Sequence, residues 1–264
     1  MCIPLLKRNI KQTVIPLVIV FFVLAMYFGV IIYMYDPEMM ALLDSYKEMM
    51  PEMMSAFGMN GMTDSMLKFM NTYLYGFLMM LFPFIFTVVL GNIFVMKYED
   101  TGSLASLLAS PNTRTRIILT QAVSLIAAVT LLLVLVTGMG IGFSEGMFPG
   151  ELEIGTFWAL NGCLLLTHLA ISGIAFAAAC FVQNSKLYYV IGCGLPLASY
   201  LFAMLGNMGD SFKWMKYCSI FSLFPADRII NHESVGGYII TLVVIILALY
   251  ISGIVKFIKK DIFL

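Results

Sequence analysis

Between Glu99 and Arg116 the chain reads EDTGSLASLLASPNTRTR, a short stretch of mixed polarity lodged between two long apolar runs. Those runs, 73–96 and 117–141, each reach the length of about 20 mostly apolar residues that a helix needs to cross a bilayer core. Four more runs meet the same criterion, at 14–35, 156–182, 187–206 and 237–256. The chain of 264 residues is 61% hydrophobic and only 11% charged, whereas soluble domains are about half apolar and a quarter charged. The expected fold is an all-α membrane protein, one transmembrane domain over 1–264 with six spanning helices. An even number of crossings puts both ends on one side.

Charge decides which side. Basic residues collect on cytoplasmic flanks, and Lys7, Arg8, Lys11, Lys97, Arg114, Arg116, Lys186, Lys256, Lys259 and Lys260 all fall on the side of the termini. Lys47, Lys68, Lys213, Lys216 and Arg228 fall on the other, with twelve of the fifteen acids. The termini and the 97–116 loop are therefore expected in the cytoplasm of a plasma-membrane protein, and 36–72 and 207–236 outside. With a net charge of zero, nothing points to nucleic acid. Cys2 follows Met1 with no apolar leader, so no cleaved signal is expected.

Residues 1–13, CIPLLKRNIKQ at their heart, place Ile3, Leu6 and Ile10 at helical spacing beside Lys7, Arg8 and Lys11. They read either as an amphipathic helix on the inner membrane surface or as a basic anchor that topology alone demands. The 36–72 segment carries ten methionines; Met39, Leu43, Tyr46 and Met50 form one helical face and Met62, Met66 and Met70 another, separated by Gly58 and Gly61. Thioethers can bind Cu(I), but no Cys or His stands among them and methionine is ordinary packing material. The aromatic-rich 207–236 segment reads as an interfacial or re-entrant helix pair. Inside the spans Pro83 and Pro196 are kink sites. His168 reads as a substrate or proton site, or as a neutral side chain hydrogen-bonded to a neighbouring helix.

Enzyme signatures are absent. There is no GxxxxGK[ST] loop for nucleotide phosphates, no HExxH, and AISG (170–173) and NMGD (207–210) each miss an intramembrane protease motif by one residue. No carboxylate or lysine sits in mid-span, as a proton-coupled carrier would require. The five cysteines show no CxxC spacing. No metal, cofactor or catalytic residue is expected in this chain.

The opening stretch can form a two- to three-turn helix. Asp100 or Thr101 would cap it and Pro111 would end it. Leu104, Leu107 and Leu108 share one arc, and Ser103, Ser106 and Ser110 another. From the residues alone it is either an amphipathic connector or a lever through which a cytoplasmic partner transmits force.

Glu99, Gly102, SLASLLASP and Arg114 resemble the E-x-x-GT-L-x-x-LL-S-x-P-x-(S/T)R stretch of ABC-2 type permeases, the membrane subunits of bacterial ABC transporters; the terminal FIKKDIFL agrees. Ser103 stands where Thr is common. The resemblance implies a type V exporter-like fold with an N-terminal elbow helix, paired with a second copy or a related permease. It also implies docking on a separate ATP-binding subunit that holds ATP and Mg. Carried over, Glu99, Asp100, Thr101, Gly102, Ser103, Leu104, Leu107, Leu108 and Ser110 would couple to the ATPase. Lys7, Arg8, Lys11, Arg114 and Arg116 would anchor the chain at the lipid surface, and the loop at Lys186 would make a second contact. The expected function is export of a hydrophobic or amphipathic substrate (peptide, drug or lipid). The alternatives are a non-transporting immunity or scaffold protein that binds a ligand through its external loops, and a carrier or channel powered without ATP.

Overall fold

Apolar runs of this length can bury their backbone polar groups in a bilayer only by pairing them internally, which makes each run a helix. The computed structural model describes residues 1–36, 45, 48–57, 59, 65–102, 113–208 and 210–260, the side chains of Glu99 and Asp210 excepted. Among them six helices are long and apolar enough to span: α1 (Ile3–Tyr33), α2 (Leu78–Met96), α3 (Arg114–Met147), α4 (Ile154–Phe181), α5 (Ser185–Asn207) and α6 (Gly236–Lys259). No strand occurs among the described residues.

The expected surface-lying helix over 1–13 is not a separate element. Residues from Ile3 onward form the first turns of α1, which runs unbroken for 31 residues, about 46 Å at 1.5 Å per residue. One buried stripe explains the continuity: Leu5, Asn9 and Thr13 lie in line with Val20, Leu24, Phe28 and Ile31, and the whole stripe packs along α3. Pro4 sits in the first turn, where its missing N–H has no helical partner to lose. Polar bonds pin the start of this seam. The Cys2 amide donates to Thr120 Oγ1 at 2.9 Å, and Asn9 Nδ2 donates to Gln121 Oε1 and Ser124 Oγ.

α2 is irregular. It is preceded by a short helix, Met66–Met70, and a π turn, Asn71–Tyr75, and it ends in a second π turn, Asn92–Met96, before a last α turn, Lys97–Asp100. A third π turn, Tyr189–Cys193, interrupts α5. α4 is the central helix, packed against α2, α3, α6 and the π turn of α5. Its small residues allow close crossing: a Cβ on Gly173 would stand 3.0 Å from Leu249 Cβ, and one on Gly253 would stand 3.0 Å from the Phe176 ring and 3.3 Å from Ala177 Cα. Ser172 Oγ and Tyr250 Oη hydrogen-bond across the same seam at 2.7 Å.

The 207–236 segment differs from the expected helix pair. It forms two 3-10 pieces, Asp210–Cys218 and Phe221–Leu223, and one short α-helix, Ala226–Ile230. The first piece folds back on α5, and the Ile220 amide donates to Ser199 Oγ at 2.8 Å. In the methionine-rich segment, Met39, Leu43, Tyr46, Gly58, Gly61 and Met62 lie outside the described residues. Met66 and Met70 are fully buried core side chains.

The α4–α6 crossing yields a stability test. Gly253→Val is expected to cost about 1–3 kcal/mol by overpacking. Gly162→Ala, whose new Cβ would meet nothing within 4 Å, is expected to be neutral or to stabilise by up to about 1 kcal/mol through helix propensity. Thermal unfolding of the two variants in one detergent measures the contrast.

Candidate functional site

Two short polar connections meet at the basic end of the bundle. The π turn carries α2 on to Asp100, so Asp100 and Thr101 lie at the end of this helix; the helix they were expected to cap lies outside the described residues. The Thr101 amide and Oγ1 both donate back to the Lys97 carbonyl, at 3.2 and 2.7 Å. Gly102 follows at φ +66°, a left-handed value that costs a residue with a Cβ about 1 kcal/mol or more. Ser103, Leu104, Leu107, Leu108 and Ser110 lie outside the described residues.

Asp100 turns toward the α4–α5 connection. Its carboxylate accepts from the Ser185 amide at 3.2 Å and from Ser185 Oγ. Ser185 Oγ also lies 3.1 Å from Asn92 Oδ1, and Asn184 Oδ1 accepts from the Leu187 amide at 2.9 Å. The start of α5 thus holds a capping amide and a carboxylate, the groups that a helix N-terminus favours. Lys186 is exposed on this loop. The loop expected as a second contact is therefore tied to the start of the first.

Tyr188, one turn on, locks the tie to the bundle. It is fully buried, its hydroxyl donates to the Val88 carbonyl at 2.7 Å, and it fills a slot between two glycines. A Cβ on Gly91 would collide with the Tyr188 hydroxyl, and one on Gly192 would stand 3.0 Å from its ring. Sequence reasoning missed Tyr188. The available signal was a glycine inside each of two apolar runs, Gly91 and Gly192, with Tyr188 four residues before the second.

The expected membrane anchors divide. Arg114 Nη1 donates to the Lys260 carbonyl at 2.8 Å and lies 3.5 Å from the Ile258 carbonyl, so it closes the carbonyl end of α6 and is not turned to headgroups. Lys260 Nζ in turn donates to the carbonyl of Val182, just past α4. Arg8 stacks on Tyr98, its guanidinium carbon 5.1 Å from the ring centroid. Burial pushes the Tyr98 hydroxyl pKa up, and the Arg8 cation draws it back in part. Lys7, Lys11 and Arg116 remain exposed. Thr113 Oγ1 accepts from the Arg116 amide at 3.3 Å, so the Thr-Arg pair of the sequence pattern caps α3 with one residue and α6 with the other.

His168 lies elsewhere, fully buried in α4 with Nε2 2.8 Å from the Met79 carbonyl. That carbonyl would pair with the N–H of residue 83, which is Pro83 and has none. Nε2 is therefore the donor that replaces the missing backbone bond. At the end opposite the basic one, an open cavity of about 480 Å³ is lined by α2, α5 and the 216–228 segment, with Asn71, Tyr200, Lys216, Asp227 and aromatic side chains on its walls.

Six packed apolar helices with one cation-rich polar end define a multi-pass α-helical membrane protein. A family model described as the C-terminal domain of the multidrug efflux system permease Rv1217c matches residues 3–257. The chain belongs to that family, in agreement with its resemblance to ABC-2 type permeases. No curated protein and no solved structure matches it.

The role of His168 is measurable as a coupling energy. His168→Leu is expected to cost about 1–3 kcal/mol by leaving a buried carbonyl unpaired. In a Pro83→Ala background, where residue 83 regains its N–H, the cost should fall by more than half. Additive effects, within about 0.3 kcal/mol, would rule the pairing out.

Proposed function

We propose that this chain is the transmembrane half of an ATP-driven exporter whose ATP and Mg are bound by a separate subunit docking on the basic end. The observation that carries this reading is the Asp100–Ser185 tie. It joins the two polar connections into one surface, which Tyr188 and the α2 backbone connect to the bundle. Absence of a P-loop in the sequence fits a chain that receives its energy by contact. Glu99 to Ser110 would supply the main contact and the Lys186 loop the second. A second copy or a related permease would complete the pathway. The cavity at the opposite end mixes aromatic, methionine and charged walls, which suits an amphipathic exported molecule.

Co-expression with a candidate P-loop ATPase subunit tests the reading. The purified pair should show vanadate-sensitive ATPase activity that an amphipathic dye stimulates, and vesicles should accumulate the dye only with ATP. Charge reversal or deletion within 99–108 should abolish assembly or dye transport. Asp100→Ala should keep assembly and basal hydrolysis but lose most dye stimulation. Normal transport by the deletion variant, or dye movement by this chain alone down an ion gradient, overturns it.

Orientation is tested by thiol labelling. Cys218 is exposed and should react with an impermeant maleimide added to intact cells, whereas Cys2 is buried and uninformative. In a Cys218→Ser background a Lys186→Cys variant should label only after permeabilisation; the reverse pattern would invert the topology.

A further inference from the structure

The cavity at the end opposite the basic one, about 480 Å³ in volume, falls within the roughly 300–1,000 Å³ typical of sites for drug-sized molecules. Tyr75, Tyr200, Phe221 and Phe224 supply its aromatic walls. Two of its polar side chains are already engaged within the protein. Tyr200 Oη donates to the Gly76 carbonyl at 3.1 Å. Arg228 Nε lies 3.7 Å from Glu233, and its guanidinium carbon lies 5.4 Å from the Tyr238 ring centroid.

Two charges on the same lining are not answered in this way. Lys216 has no acidic partner among the described residues, and the Asp227 carboxylate accepts one hydrogen bond, from Asn71 Nδ2 at 3.1 Å, with no cation beside it. The fold holds each in place. Gly206 lets the Lys216 stem lie against α5: a Cβ there would stand 2.6 Å from Lys216 Cγ and 3.1 Å from its amide nitrogen. Asn71, in the π turn before α2, holds Asp227. The cation therefore belongs to the α5 wall and the carboxylate to the α2 wall, and the two do not pair with each other. An ammonium and a carboxylate both keep hydrogen-bonding capacity to offer. Such walls fit one molecule that presents an anion to Lys216, a cation to Asp227 and apolar surface to the rings. A molecule with a single charge would meet a like charge as well as an opposite one, so the arrangement discriminates against simple cations and simple anions alike.

We propose that this cavity selects drug-sized zwitterionic amphiphiles, with the anionic group on Lys216 and the cationic group on Asp227, and that these are the class of molecule exported, which rests on the export function proposed above. The aromatic walls suit a quaternary ammonium as the cationic group, and a sulfonate supplies a permanent anion.

Native mass spectrometry of the full chain in a non-ionic detergent, offered dodecyl sulfobetaine, dodecyltrimethylammonium or dodecanesulfonate at equal concentration, compares one tail under three charge patterns. The wild type should retain the sulfobetaine about tenfold or more above either singly charged amphiphile, the effect of one additional charge-assisted contact. Asp227→Asn should bring sulfobetaine retention down to that of dodecanesulfonate, and Lys216→Gln should bring it down to that of dodecyltrimethylammonium. Asp227→Glu and Lys216→Arg should keep the wild-type preference. Equal retention of the three amphiphiles by the wild type, a preference for a singly charged one, or unchanged selectivity in Asp227→Asn and Lys216→Gln overturns the proposal. So does displacement of the sulfobetaine by equimolar phosphatidylethanolamine, which would assign the two charges to a bilayer lipid headgroup. The chain is assayed without an ATPase, so lost selectivity leaves the export function standing, and a lack of ATP-driven transport leaves the measured selectivity standing.

Discussion

In hydrocarbon a backbone carbonyl that loses its helical partner has no water to turn to, and this single constraint organises the bundle. The helices are not uniform rods: α2 carries Pro83 and a π turn, α5 carries another, and α4 and α6 both end at the basic side. Near several of these irregularities a side chain from another part of the chain donates to a backbone carbonyl. His168 serves Met79, Tyr188 serves Val88, Tyr200 serves Gly76, Arg114 serves Lys260, and Lys260 serves Val182. Each bond satisfies a local need and fixes a tertiary contact at once. Apolar packing between lipid-bathed helices is non-directional, so such bonds give the register that greasy surfaces leave open.

The same constraint separates a fixed interior from free faces. α2 and α4 are largely buried, whereas α1, α5 and α6 turn most of their apolar surface outward. On α6 the outward row is Ile240, Val244, Leu247 and Ile251, a stripe at helical spacing without a polar atom. Lipid or a second permease satisfies such a face equally well. The irregular helices, by contrast, are held on the inside by particular hydrogen bonds.

Much of this was legible in the residues. Six apolar runs gave six helices because length and composition leave a bilayer segment no other regular state. What periodicity missed was continuity. The 1–13 segment looked like an independent amphipathic helix because Lys7, Arg8 and Lys11 interrupt its hydropathy, yet Leu5, Asn9 and Thr13 stay in phase with Val20 and Leu24 across that interruption. Phase survives where hydropathy does not. Arg114 was misread for the opposite reason: a cation beside a span suggests headgroups, and only the tertiary fold reveals that the end of α6 lies nearer. His168 could have been solved from sequence in part, since Pro83 announces an orphan carbonyl at Met79 four residues earlier, but which helix answers it is a long-range fact. Tyr188 shows the limit most clearly, because a slot built from Gly91 and Gly192 becomes a slot only when α2 and α5 meet.

That slot bears on how force would travel if an ATPase pushes on the basic end. A loop tied to its bundle by exposed polar bonds alone would yield before the helices moved, since such bonds contribute only about 1 kcal/mol each. Here the Asp100–Ser185 tie is backed, one turn deeper, by a fully buried aromatic ring with no free volume on either glycine face. Close-packed contacts transmit displacement because they do not compress. The two flanking π turns, Asn92–Met96 and Tyr189–Cys193, are the weakly wound parts of their helices. Displacement delivered at Ser185 would therefore be absorbed as rewinding of α2 and α5 together, and these are the helices that carry the walls of the cavity at the far end.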